Sequence, residues 1–254
     1  MLVDMNSVAW LSKPQIEEEA CLLLSEWVSF TGETVKPPIP VEAIIEKYLG
    51  ITLEYEDLDQ SLGISGVLGA TWVNEKKMAI NSCLLDGVEG RIAFTCGHEV
   101  GHWILHRDYF FQQFSRLEQR SHDDSPVIVC RTFLSKQRGE WQADHFGGCL
   151  LMPEMDVRNA YLDTFGPEPL VLYNEKSCFG RYNPMVLDPA LDTVKEIAQE
   201  IINHGGFINV SREAMVYRLQ ELGLLVNRTG KSLGNHFVSL RFTKPVYSQK
   251  VVTE

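Results

Sequence analysis

The chain has 254 residues, a net charge of −11, 44% hydrophobic residues and 22% charged residues. That length suits one large domain or two modest ones, and the composition is ordinary for a folded soluble protein. The acid excess argues against a protein that holds nucleic acid mainly through phosphate contacts, which should be basic, although it leaves room for a local basic patch.

The opening stretch, MLVDMNSVAWLSKPQIEEEA, carries an early acid and no long apolar core, so no signal peptide is expected. No run approaches the ~20 apolar residues of a membrane helix. The expected location is the cytoplasm, with no membrane partner. Six cysteines (Cys21, Cys83, Cys96, Cys130, Cys149 and Cys178) form no CxxC pair. They are expected to be reduced thiols, mostly small and buried.

Ser12-Lys13-Pro14-Gln15 reads as a capped helix start. Ile16, Ala20, Leu23, Leu24, Trp27 and Val28 then recur at helical spacing up to Gly32. A proline-rich connector over 35–40 is expected to be extended. A short helix follows from Val41 to Leu49, stopped by Gly50. From there the period changes to two, which predicts strands over 51–55, 66–73 and 78–81, the last two as a hairpin. One strand of this sheet is expected as an edge facing the functional site, where an extended peptide could add.

A helix is predicted from about Gly87 to Leu105, and it contains His98-Glu99-Val100-Gly101-His102. Residues four apart share a helix face, so both imidazoles can grip one metal ion. Glu99 projects about 100° round the helix, where its carboxylate reaches a water without being a ligand. This HExxH arrangement is that of a zinc hydrolase. Cys96, two residues before His98, points to another face and is not expected to ligate.

The connection from Asp108 to Gly139 shows little periodicity, with a short strand expected over 126–130 and His122 read as an exposed loop residue. Next, Trp141, Phe146, Leu150 and Leu151 make 140–152 a buried helix. Glu140 and Asp144 share one face of it, and two buried acids need positive compensation. Glu140 is therefore the expected third metal ligand, and Asp144 the acceptor for the outer N–H of a ligand histidine, foremost His98. His106 lies ~12 Å along a straight helix from His98, too far for joint chelation, and is read as structural or substrate-side. His145 points elsewhere, with oxyanion stabilisation as its alternative role. Gly147 and Gly148 weaken this helix, with close approach to the HEVGH helix as the expected gain.

With HEVGHWILH and EWQADHFGGCLLMP side by side, the chain resembles the ImmA/IrrE family of metallopeptidases. The family pattern is similar to HE-x-GH-x-x-LH followed by E-x-x-A-[N/D]-x-F-A-x-x-LLMP. Glu140, Ala143, Asp144, Phe146 and Leu150 to Pro153 fit it. Gly147, where alanine is usual, and the long spacer from His102 to Glu140 depart from it. The resemblance spans about residues 14–225. It implies one zinc ion in a gluzincin-like site and a cytoplasmic protein substrate, usually a helix-turn-helix transcriptional repressor. Cleaving such a repressor would release genes of mobile elements or stress responses, often from a toxin–antitoxin-like pair.

After the EWQADHFGGCLLMP stretch, a helix is expected over 155–165, begun by Pro153, then a loop or linker over 166–189. Helices over 191–204 and 211–222, the second capped by Ser211, read as a helix-turn-helix-like unit. The segment VSREAMVYRLQELG also resembles one common in the family. Arg212 and Arg218 are offset by Glu213 and Glu221, so a packing or partner role is preferred to DNA binding. Tyr217 and Arg218 are candidate residues beside the substrate. The tail from Val226 has one strand-like stretch, 236–242.

The expected fold is α+β: a mainly helical zincin-like metallopeptidase domain with a small antiparallel β-sheet over 1–165, then a helix-turn-helix-like region and tail over 166–254. The expected function is zinc-dependent endopeptidase, with His98, His102 and Glu140 holding Zn2+ (Mn2+ also suits this donor set) and Glu99 moving the proton. The alternative is a non-proteolytic regulator that binds a repressor or DNA, with zinc structural or absent.

Overall fold

Helix α1 (Lys13–Thr31) opens as its sequence predicts. Gln15 Oε1 accepts from the Ser12 backbone N–H (2.9 Å) and hydroxyl (2.8 Å), and Gly32 closes the helix at φ 73°. The computed structural model describes residues 5–87, 89–117, 128–131, 137–173, 191–228, 230 and 233. His122 and the strand expected over 236–242 lie outside the described residues.

After the connector, whose Pro37–Pro38 peptide is cis, α2 (Val41–Ala43) widens into a π-helical turn, Ile44–Tyr48. Strand β1 (Thr52–Glu56), helix α3 (Leu58–Leu62) and strands β2 (Val67–Trp72) and β3 (Lys77–Asn81) follow. Helix α4 (Glu89–Leu117) runs well past the predicted end at Leu105. Strand β4 (Ile128–Arg131) then leads to α5 (Arg138–Leu151) and α6 (Glu154–Phe165).

The sheet has the order β1-β3-β2-β4. The β2–β3 hairpin forms as predicted, with Gly69 opposite Ile80 and Trp72 opposite Lys77. The sheet is mixed, however, and not antiparallel throughout, because β1 lies parallel to β3 from Thr52–Lys77 to Glu56–Asn81. Period-two alternation identifies strands but says nothing about which neighbours pair. Strand β4 pairs antiparallel with β2, so β2 is flanked on both sides and the edges are β1 and β4.

One face of the sheet packs into the main core with α1, α4, α5 and the C-terminal helices. The other carries a smaller cluster of Leu58, Val67, Ala70, Trp72 and Ala79, roofed by α3. The register of β2 against β4 shifts between Val67 and Gly69, as a bulge does. Of the four cysteines with described side chains, Cys96 and Cys149 are buried while Cys21 and Cys83 are exposed, so the expectation of mostly buried thiols holds for half of them.

The C-terminal part adds α7 (Leu191–Gly205) and α8 (Arg212–Glu221), where Ser211 Oγ accepts from the Ala214 N–H (3.1 Å) as its capping role predicts. Two short strands went unpredicted: β5 (Leu170–Tyr173), inside the expected linker, pairs parallel with β6 (Leu225–Arg228). Val194, Ile201, Phe207, Leu219 and Leu225 join the same apolar cluster as Ile16, Val100 and Phe146, so one core runs across residue 165. Among the described residues, no helix is long and apolar enough to cross a membrane.

Candidate metal centre

Helix α4 stacks His98 and His102 one turn apart, and both side chains are fully buried. Their Nε2 atoms converge to 2.9 Å. From α5, Glu140 brings Oε2 to 3.5 Å from His98 Nε2 and Oε1 to 3.3 Å from His102 Nε2. The three side chains thus offer donor atoms all within 4.8 Å of one another and could hold a metal ion. Burial pushes the Glu140 carboxyl up, but the hydrogen bonds and charge of His102 and His98 outweigh it, and the group sits well below the usual carboxylate range. Two imidazole nitrogens and a carboxylate suit zinc and several other divalent ions.

Asp144, one turn beyond Glu140, places Oδ1 2.8 Å from His98 Nδ1. An acceptor there holds the hydrogen on Nδ1 and turns the Nε2 lone pair toward Glu140 and His102.

The helices can meet so closely because the crossing lacks side chains. A Cβ at Gly147 would come 3.0 Å from the Gly97 carbonyl carbon and the His98 nitrogen, and one at Gly101 would come 3.0 Å from the Ala143 backbone. The predicted gain from Gly147 is this approach.

Glu99 is also fully buried. Thr71, on β2, donates its hydroxyl to Glu99 Oε2 at 2.6 Å, while Glu99 Oε1 is buried with no hydrogen-bond partner among the described residues. Gly69, two residues earlier on the same strand, makes the room, since a Cβ there would stand 2.6 Å from Oε1. Burial pushes the Glu99 carboxyl up, opposed by His102, His98 and the Thr71 hydroxyl. Neither Thr71 nor Gly69 was anticipated. The available signal was a glycine and a threonine two apart in an otherwise apolar strand, both turned to the core.

His106 is buried between His102 and Gln142, in line with the structural one of its two expected roles. Its Nδ1 lies 3.1 Å from His102 Nδ1 and its Nε2 2.8 Å from Gln142 Oε1. Burial and the facing His102 push it down to about 3, so the ring is neutral at physiological pH.

The other three candidates sit on the far side of α5. His145 stacks on Trp141, with ring centroids 5.7 Å apart, and its Nδ1 is 3.4 Å from Glu221 Oε1. Arg218 is fully buried. It pairs with both oxygens of Glu17 and with Glu221 Oε2 (2.9 Å), and donates Nε–H to the Met152 carbonyl (3.1 Å). Tyr217 receives Lys13 Nζ at 3.2 Å. These contacts bind α8 to α1 and α5 and engage Tyr217, Arg218 and His145, the residues expected beside a substrate, in packing between helices. Glu17, His145 and Cys149 are close enough together to suggest a second metal group. Arg218 Nη1, however, stands 2.8 Å from Glu17 Oε2 and 3.6 Å from Cys149 Sγ, so a guanidinium already supplies the positive charge. Burial pushes the Cys149 thiol well up, which keeps it protonated and a poor ligand.

No family model matches the chain, and no curated protein matches it.

Proposed function

We propose that the chain is a zinc-dependent endopeptidase of the ImmA/IrrE type, acting in the cytoplasm on a protein substrate, a helix-turn-helix repressor. The observation that carries this reading is Glu99. A buried carboxylate with one oxygen fixed by Thr71 and the other without a partner among the described residues lies beside three converging donors that could hold a metal. A carboxylate needed only for packing would have both oxygens satisfied.

His98, His102 and Glu140 would hold the ion, which when bound acidifies water and polarises a carbonyl. Glu99 Oε1 takes the proton from the attacking water and returns it to the leaving amine. Thr71 keeps the carboxylate from rotating, so that Oε1 stays the working oxygen. Asp144 holds the His98 ring in the tautomer that presents Nε2.

The regulator alternative would be favoured by a fourth protein ligand closing the site, and the described residues offer three. Its DNA-binding form would need cations on α8, where Arg218 is buried among carboxylates. The repressor as substrate rests on the paired motifs, HEVGHWILH and EWQADHFGGCLLMP.

The test is co-expression with the helix-turn-helix repressor encoded nearest the gene. Site-specific cleavage that is lost in Glu99→Gln, with zinc still bound, is the expected result. Cleavage at the normal rate by that variant would overturn the mechanism.

A further inference from the structure

The contacts behind His102 have a direction, and it can be read from the one end that is unambiguous. Gln142 Nε2 donates to the Ala9 carbonyl oxygen at 3.0 Å. A carbonyl only accepts, so the amide orientation is fixed and Gln142 Oε1 is the atom that faces His106 Nε2 at 2.8 Å. An amide oxygen also only accepts, so His106 Nε2 carries the hydrogen. A neutral imidazole has one N–H, which leaves the lone pair on His106 Nδ1, 3.1 Å from His102 Nδ1. His102 Nδ1 is then the donor, and His102 Nε2 keeps its lone pair toward Glu140, as a metal ligand must.

We infer that His106 is the positioning residue of His102. It accepts the His102 Nδ1–H, in a tautomer set by the Ala9 backbone carbonyl and relayed through Gln142. This rests on the metal reading of the site. The two ligand histidines are thus backed differently: a carboxylate, Asp144, stands behind His98, and a neutral ring stands behind His102. A second carboxylate there would have put another negative charge beside Glu140 and Glu99 in a fully buried space, where like charges are costly. The neutral relay orients the ring without that charge. Water does not substitute for it, because His106 is 2% exposed and Gln142 fully buried. With His106 removed, the His102 Nδ1–H would be a buried donor with nothing to bond.

The test is zinc affinity of the full chain, by competition with a chromophoric chelator at neutral pH, together with the visible spectrum of the cobalt-loaded protein. His106→Leu removes the acceptor and should weaken zinc binding about 10–100-fold, the usual cost of losing such a partner. His106→Asn carries Oδ1 on Cγ where the imidazole carries Nδ1, so it restores an acceptor at the same place. It should recover most of the lost affinity and the wild-type cobalt bands. Gln142→Leu, one link further out, should show a smaller loss of the same kind. Far-UV circular dichroism and metal-free melting check that each variant folds; if His106→Leu does not, the Asn and Gln142→Leu variants decide. A folded Leu variant with wild-type affinity, or an Asn variant no better than Leu, overturns the assignment. A wild-type protein that binds no zinc overturns the metal reading itself, and the assignment with it.

Discussion

Helix α5 carries two buried polar clusters on opposite sides, and they differ in where the positive charge comes from. On the side facing α4, Glu140 and Asp144 meet the imidazoles of His98 and His102, and Glu99 meets the Thr71 hydroxyl. On the side facing α1 and α8, Glu17 and Glu221 meet the guanidinium of Arg218 and the ammonium of Lys13. The second cluster is complete within the protein and holds three helices together. The first has donor atoms within 4.8 Å of one another that could hold a cation from outside. Both contain a histidine, a carboxylate and close packing, and they differ in whether a guanidinium or ammonium of the protein sits among the carboxylates.

The comparison breaks most sharply at Glu99. Glu99→Gln should lower cleavage of a true substrate by about 10²–10⁴-fold, the usual worth of a positioned acid–base group, with zinc affinity kept. The measurements are single-turnover cleavage and chelator competition on the same preparation.

The other cluster should answer in stability. Arg218→Met leaves the partly buried Glu17 and Glu221 without their shared guanidinium and should cost about 2–3 kcal/mol in urea unfolding, less than the loss of one partner of a fully buried pair. Zinc affinity of the folded fraction should not change. A loss of zinc binding equal to that of a His98→Ala protein would erase the distinction between the two sides.

Zinc itself discriminates next. At about 100 times its dissociation constant it should stabilise the wild type by roughly 2.7 kcal/mol, read as a rise in the melting temperature that a chelator reverses. His98→Ala should abolish that rise. Cys149→Ser should leave it intact, because the Glu17–His145–Cys149 group already has its cation.

At the contact between the sides, Gly147→Ala forces a methyl against Gly97 and His98 and should cost about 1–3 kcal/mol. Zinc binding should weaken in the same protein, since the ligands ride on both helices.

The smallest effect is pH-dependent. Burial pushes the Glu17 carboxyl up, but Arg218, Cys149 and His145 outweigh it and hold the group below its ordinary value. The stability it contributes is therefore present above the ordinary carboxylate range and is lost as pH falls through its lowered value. Urea midpoints should decline on acidification below about pH 4.5, the ordinary range for Glu, and decline less in Glu17→Gln.

His98, His102, Glu140 and Asp144 were legible in the sequence because each pair lies four apart on a helix, and helical spacing converts directly into a shared face. Thr71 and Gly69 were not, because they meet Glu99 only through the packing of a strand on a helix 28 residues later, which no local period encodes. His106 lies eight residues from His98 but only four from His102, and it is the second spacing that places it in contact. Arg218 does pair with Glu221 on its own helix, as the local sequence predicts, but its other partner, Glu17, is 201 residues away and no local spacing encodes it. Strands β5 and β6 are four residues each and pair across 55 residues, so neither alternation nor turn signals had room to appear.

The bare crossing at Gly97, Gly101, Ala143 and Gly147 makes the two ligand-bearing helices behave like the closed jaws of a caliper. Their separation is set by main-chain thickness, which no rotamer change can alter. Substitutions elsewhere in the core can loosen the protein without changing the span between the histidine pair and Glu140. Only an added side chain at the crossing opens the jaws, so the gauge of the site is among the most mutation-resistant dimensions of the molecule.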